Sequence, residues 1–189
     1  MVESLAMGIA TIAVVALLLL LAGEGPGHLG FSARPMGRQL GFGVLFGLLI
    51  WIFDTFVSSP VVGALLPEDS AKGVDMSRLF TDLRLLPLWT LAGLLKGGFS
   101  EELWRIFGLT RFEKWLGRPG LVLALVLGSV VFGFGHLYQG ARGLVTTELV
   151  GLLYALVYLR RRRALEAVFA HSTFNLVSIA LGYALYHGQ

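Results

Sequence analysis

Residues 100–120 read Ser-Glu-Glu-Leu-Trp-Arg-Ile-Phe-Gly-Leu-Thr-Arg-Phe-Glu-Lys-Trp-Leu-Gly-Arg-Pro-Gly, and this stretch sets the architecture. It ends in Gly117-Arg118-Pro119-Gly120, the strongest turn signal in the chain, because glycine admits left-handed backbone and proline cannot continue a helix. Apolar runs flank the turn on both sides, so the chain should fold back here as a helical hairpin. Within the first arm lie two adjacent carboxylates, Glu101 and Glu102, with Arg105 one turn on. A charge in hydrocarbon costs roughly 2.5–3.5 kcal/mol even on lenient insertion scales, so this cluster is the first place to look for function.

Of the 189 residues, 56% are hydrophobic and 14% charged. The mean hydropathy is +0.76. This balance belongs to an integral membrane protein. Apolar runs predict helices near 5–22, 40–57, 88–116, 120–138, 143–159 and 164–186, an all-α, multi-pass transmembrane bundle of about six spans. The chain divides into an N-terminal transmembrane hairpin with a polar loop (1–87) and a helical core (88–189) within one integrated membrane domain. The run from Leu5 to Leu21 has no basic leader and follows Glu3, so it reads as a retained helix rather than a signal peptide. Segment 66–84, with Glu68, Asp69, Lys72, Asp75, Arg78, Asp82 and Arg84, reads as an extramembrane loop or interfacial helix.

With no cysteine, thiolate nucleophiles, thiolate metal sites and disulfides are excluded. The net charge of +3 points to the membrane rather than to nucleic acid, because the basic residues gather in short loops. Arg34, Arg38, Arg105, Arg111, Lys114, Arg118 and Arg160 to Arg163 count to one side, and Lys72, Arg78, Arg84 and Arg142 to the other. The basic side is expected to be cytoplasmic and both termini non-cytoplasmic, in a plasma (inner) membrane.

Hairpin register brings the polar residues to a common depth. Halfway between Glu101 and His136 lies the Gly117–Gly120 turn, so the two stand level, about 26 Å from the tip. His171 and Asn175 share one helix face, about 14 and 20 Å beyond a second turn at Arg160–Arg163. Polar side chains from three helices can thus meet inside the bilayer, as a buried site facing water requires. Glu148 is level with Asn175 across the second hairpin, either as its partner or facing a hydrated cavity. Lys96 either snorkels or counters Glu101. A bland account exists for each group: a helix-end ion pair, a core histidine, an interhelical polar clamp.

Three ordered segments, Ser100-Glu101-Glu102-Leu103-Trp104-Arg105, Phe132-Gly133-Phe134-Gly135-His136 and His171-Ser172-Thr173-Phe174-Asn175, resemble the motifs of the CPBP family. That family contains the CAAX prenyl endopeptidases and proteins tied to bacteriocin processing or self-immunity. The resemblance covers about residues 88 to 186. It implies an intramembrane endopeptidase of the metalloprotease type, acting on a membrane-associated peptide or protein. Glu101 and His136 would hold and activate a water, His171 and Asn175 would stabilise the oxyanion, and Glu102 and Arg105 would support them.

The resemblance also implies one divalent metal, zinc, on His136, His171 and Glu101, although the His-Glu-x-x-His spacing of soluble zinc proteases is absent. In the usual first motif three residues separate the glutamates from the arginine; here two do, and Ile106 takes the expected place. The shift turns the arginine by about 100° around the helix. The alternatives are a non-catalytic membrane interaction or bacteriocin self-immunity protein of the same fold, and a proton-coupled carrier using Glu101, Glu102 and Glu148. Against the carrier stands the lack of an internal repeat.

Overall fold

The computed structural model describes residues 2–66 and 80–188; Glu68, Asp69, Lys72, Asp75 and Arg78 of the polar segment lie outside the described residues. What is described is helical, with no strand: α1 (Val2–Leu21), α2 (Met36–Phe53), α3 (Ser59–Leu65), α4 (Leu86–Ala92), α5 (Glu102–Phe134), α6 (Gly140–Arg161) and α7 (Ala164–His187). Two π-helical segments link neighbours, Asp54–Ser58 between α2 and α3 and Gly93–Glu101 between α4 and α5. Five continuous helical runs are long and apolar enough to cross a membrane, and one of them, Leu83–Phe134, is 52 residues long.

That long run is two arms. Gly117 has φ 65° and ψ −146°, outside the helical region and open to glycine without strain. Arg105 places its guanidinium 4.3 Å from the ring of Phe132. Twenty-seven residues of straight helix would separate them by about 40 Å, so the chain folds back at Gly117. Arg105 and Phe132 share the same halfway point as Glu101 and His136, which is the register expected from the turn.

Several boundaries differ from the sequence reading. The second helix, expected near 40–57, continues through Pro60 to Leu65. Proline lacks an N–H and its ring collides with the carbonyl four residues back, and the wide π-turn directly before it opens the backbone there. The helix expected over 120–138 ends at Phe134, so His136 sits just past it, its backbone N–H donating to the Gly133 carbonyl at 2.9 Å. Arg105 does not belong with the basic loop residues: it is 3% exposed, inside the bundle. Near the C-terminus, His187 Nε2 donates to the Phe80 carbonyl at 2.9 Å.

Close packing follows glycine. A Cβ on Gly43 would stand 2.3 Å from Phe169 Cβ, and one on Gly47 would stand 2.5 Å from the Ala170 carbonyl oxygen. These two glycines, one turn apart on α2, let its backbone lie directly on α7, as small residues do between membrane helices. Outward-facing side chains such as Leu17, Leu48, Val126 and Leu185 are apolar and exposed, as hydrocarbon contact requires. The chain is an integral membrane protein.

At the Arg-rich end, polar contacts tie the loops together. Arg162 adopts φ 53° and is held by Glu113 at 2.6 and 2.8 Å. Glu24, in the loop after α1, accepts from Arg111 Nη1 at 3.0 Å and from Lys114 at 2.7 Å. The Arg111 hydrogen bond first, and Lys114 second, hold the Glu24 carboxyl down from 4.5 to about 2. A depressed carboxyl stabilises the fold above its unfolded value, and that contribution is lost as pH falls through the folded one. The difference in thermal midpoint between the natural protein and Glu24→Gln should therefore be constant from pH 7 to about 5. Below about 4.5 it should narrow, and near pH 2 it should vanish, as a thermal melt series would show.

Candidate active site

The first carboxylate is placed by an irregular stretch. Gly93, Gly97 and Gly98 leave the segment before Glu101 without side chains on the face toward α7, and it winds as a π-helix. A Cβ on Gly97 would stand 2.3 Å from Asn175 Nδ2, and one on Gly98 would stand 2.0 Å from Ser172 Oγ. The glycines thus admit polar groups of α7 against the backbone. Asn175 Nδ2 donates to the Gly93 carbonyl at 3.0 Å. Wide turns of this kind are frequent at functional sites.

Glu101 ends that segment and Glu102 opens α5, so the adjacent carboxylates diverge. Glu101 accepts a hydrogen bond from Lys96, whose side chain is 31% exposed. That contact resolves the two readings of Lys96: it counters Glu101. Glu102 is fully buried and accepts from Arg105 and from His171 Nδ1, the latter at 2.8 Å. The opposite ring nitrogen of His171, Nε2, is 3.7 Å from Glu101 Oε2. His171 therefore spans both carboxylates.

Stacking holds the imidazole as well. The Tyr154 ring lies 4.3 Å from the His171 ring at 15°, and Phe132 meets it edge-on at 5.8 Å. Arg105 sits over Phe132 and, at 5.7 Å, over Tyr154. One position earlier than the motif expects, Arg105 still reaches Glu102, three residues before it on the same face. Ile106, in the expected place, is fully buried in the apolar core.

His136, His171 and Asn175 line one cavity of about 140 Å³, together with Asp54, Thr146 and Tyr154. The His136 Nδ1 hydrogen goes to the Phe132 carbonyl at 2.8 Å. A carbonyl can only accept, so neutral His136 keeps Nε2 as an acceptor. Phe132 touches both histidines, its ring 4.7 Å from that of His136 and 5.8 Å from that of His171. Glu101 is not itself part of that lining, but its Oε2 lies 3.7 Å from Nε2 of His171, which is. Glu148 is not part of that lining; its Cα and Cβ stand over Gly133.

Asp54 and Tyr154 were not singled out from the sequence. Asp54 carried a readable signal, an ionisable group inside an apolar run, by the argument applied to Glu101. Tyr154 carried none, since one tyrosine in an apolar helix reads as packing.

A metal site asks for three converging donors. Among the described residues no three His, Asp or Glu side chains are grouped as such a set. His171 Nδ1 is held by Glu102 and His136 Nδ1 by the Phe132 carbonyl, which leaves Nε2 of each neutral ring as an acceptor, while Lys96 occupies one oxygen of Glu101.

A family model described as type II CAAX prenyl endopeptidase, Rce1-like, matches residues 82–177. No curated protein and no solved structure matches. The matched stretch contains the π-segment, the carboxylate pair, both histidines and Asn175.

Proposed function

We propose a function from the premise that the chain belongs to the Rce1-like family of type II CAAX prenyl endopeptidases, whose model covers just over half of it. The family makes it a membrane peptidase. Its reading here is hydrolysis of a peptide bond near the prenylated C-terminus of a membrane-associated substrate. The observation that carries this reading is His171 in contact with both carboxylates while it shares a cavity wall with His136 and Asn175.

The residues support a division of labour. His136 Nε2 accepts from a water in the cavity and fixes its position. Glu101, whose Oε2 lies 3.7 Å from Nε2 of the cavity-lining His171, takes the proton of a water at that edge of the cavity as the water oxygen bonds to the scissile carbonyl carbon. Glu102, paired to Arg105, holds the His171 ring from Nδ1. The second amide hydrogen of Asn175, the one not given to Gly93, is available to the oxyanion, in a site where a preorganised donor counts for more than in water. When the carbon–nitrogen bond breaks, Glu101 returns the proton to the leaving amine.

The test uses the full chain in liposomes with a farnesylated peptide ending in Cys-aliphatic-aliphatic-X. Release of the C-terminal tripeptide is expected. Folded protein that releases none removes the reading. Turnover that a chelator abolishes and zinc restores would replace the metal-free scheme.

A further inference from the structure

Away from the candidate site, α2 and α6 enclose an apolar groove of about 370 Å³ that opens outward toward lipid. Phe46, Leu49 and Phe53 form one wall and Leu153, Leu156 and Arg160 the other. Phe46 to Phe53 covers about 10 Å of helix, room for part of an acyl chain. Leu49 and Leu156 are 49% and 46% exposed on its rim.

One end of the groove is strongly cationic. Arg38, Arg160 and Arg161 hold their guanidinium carbons 5.6, 4.8 and 5.0 Å from the centre of a single ring, Phe42. Arg160 also lies 4.6 Å from the Phe46 ring, inside the groove itself. Among the described residues one carboxylate pairs with these arginines: Glu166, at 3.4 Å from Arg160 and 3.0 Å from Arg161. Glu166 is fully buried, while Arg160 and Arg161 remain 41% and 27% exposed. Three cations against one buried anion leave an excess of positive charge at the mouth of an apolar channel. A topology signal needs arginines on this side of the membrane, but it does not need three of them drawn together around one ring above a groove.

We infer that the α2/α6 groove is a binding site for an anionic phospholipid, with the phosphate at Arg38, Arg160 and Arg161 and an acyl chain along Phe46, Leu49 and Leu156. Guanidinium groups suit phosphate because they offer paired planar donors. Free phosphate would meet the arginines but leave the groove unused. A zwitterionic lipid would fill the groove without matching the charge.

The experiment is native mass spectrometry and thermal melting of the full chain in neutral detergent. The probes are phosphatidylglycerol, phosphatidylcholine with the same acyl chains, and inorganic phosphate. Phosphatidylglycerol should bind most tightly and raise the melting midpoint. Each surface arginine contributes about fivefold to anionic-lipid affinity, so the double variant R38Q/R160Q should lose about 25-fold. L156W, which fills the groove and leaves every arginine in place, should weaken phosphatidylglycerol binding too, and it keeps the proposal testable should the double variant fail to fold. Equal binding of phosphatidylcholine, an equal midpoint rise with inorganic phosphate, or unchanged affinity in a folded variant would overturn the site. So would displacement of the bound lipid by a farnesylated peptide, which would give the groove to substrate. Neither readout involves peptide cleavage, so the lipid site and the protease reading fail separately.

Discussion

Glu101→Gln is expected to lower turnover of the farnesylated peptide by about a thousandfold or more, with KM and the melting midpoint little changed. The size follows from removing a general base, an effect that typically spans about 10² to 10⁴. The selectivity follows from geometry. Glutamine keeps an oxygen for Lys96 to donate to and removes the charge from the more buried partner, Glu101 being 10% exposed, while Lys96 at 31% keeps access to solvent. The measurement is steady-state kinetics in liposomes beside a thermal melt. A structural polar cluster, as a self-immunity protein of this fold would have, predicts the opposite pattern: stability lost and no turnover to lose. Full turnover by the folded variant would end the assignment of Glu101 as base.

Much of the fold that positions Glu101 was legible because glycine and proline act locally. Gly117-Arg118-Pro119-Gly120 marked a hairpin tip, and the Arg105–Phe132 contact has the register read from it. Helix existence followed from apolar length. The two π-segments were not legible, since no residue pattern announces a turn of five rather than four. They matter here, because the Gly93–Glu101 segment sets where Glu101 points and the Asp54–Ser58 segment brings Asp54 to the cavity wall. The choice of partners was also hidden. Sequence spacing allowed Arg105 to pair with either glutamate, and only three-dimensional packing gives it Glu102 and gives Glu101 to Lys96.

That choice leads to the larger effect on stability, at Arg105→Leu. Arg105 and Glu102 are 3% and 0% exposed, and His171 is the only other partner of the Glu102 carboxylate among the described residues. Breaking a buried pair by removing one member typically costs about 3–5 kcal/mol, because the remaining charge has lost its counter-ion in a dry environment. A fall in the melting midpoint on the order of 10 °C is expected for a chain of this size. Removing both charges should behave differently. An apolar pair of similar volume in place of a buried ion pair is often neutral. Glu102→Leu combined with Arg105→Leu should therefore melt well above Arg105→Leu alone, yet show weak turnover, since nothing then holds His171 from Nδ1. Exchanging positions 105 and 106, so that the arginine takes the usual motif spacing, should not rescue the fold. The guanidinium would turn about 100° into the core that Ile106 fills, away from Glu102. Arg105→Leu melting like the natural protein would show that the pair is not a structural clamp. A swap variant that folds and turns over would show that the bundle tolerates either arginine position.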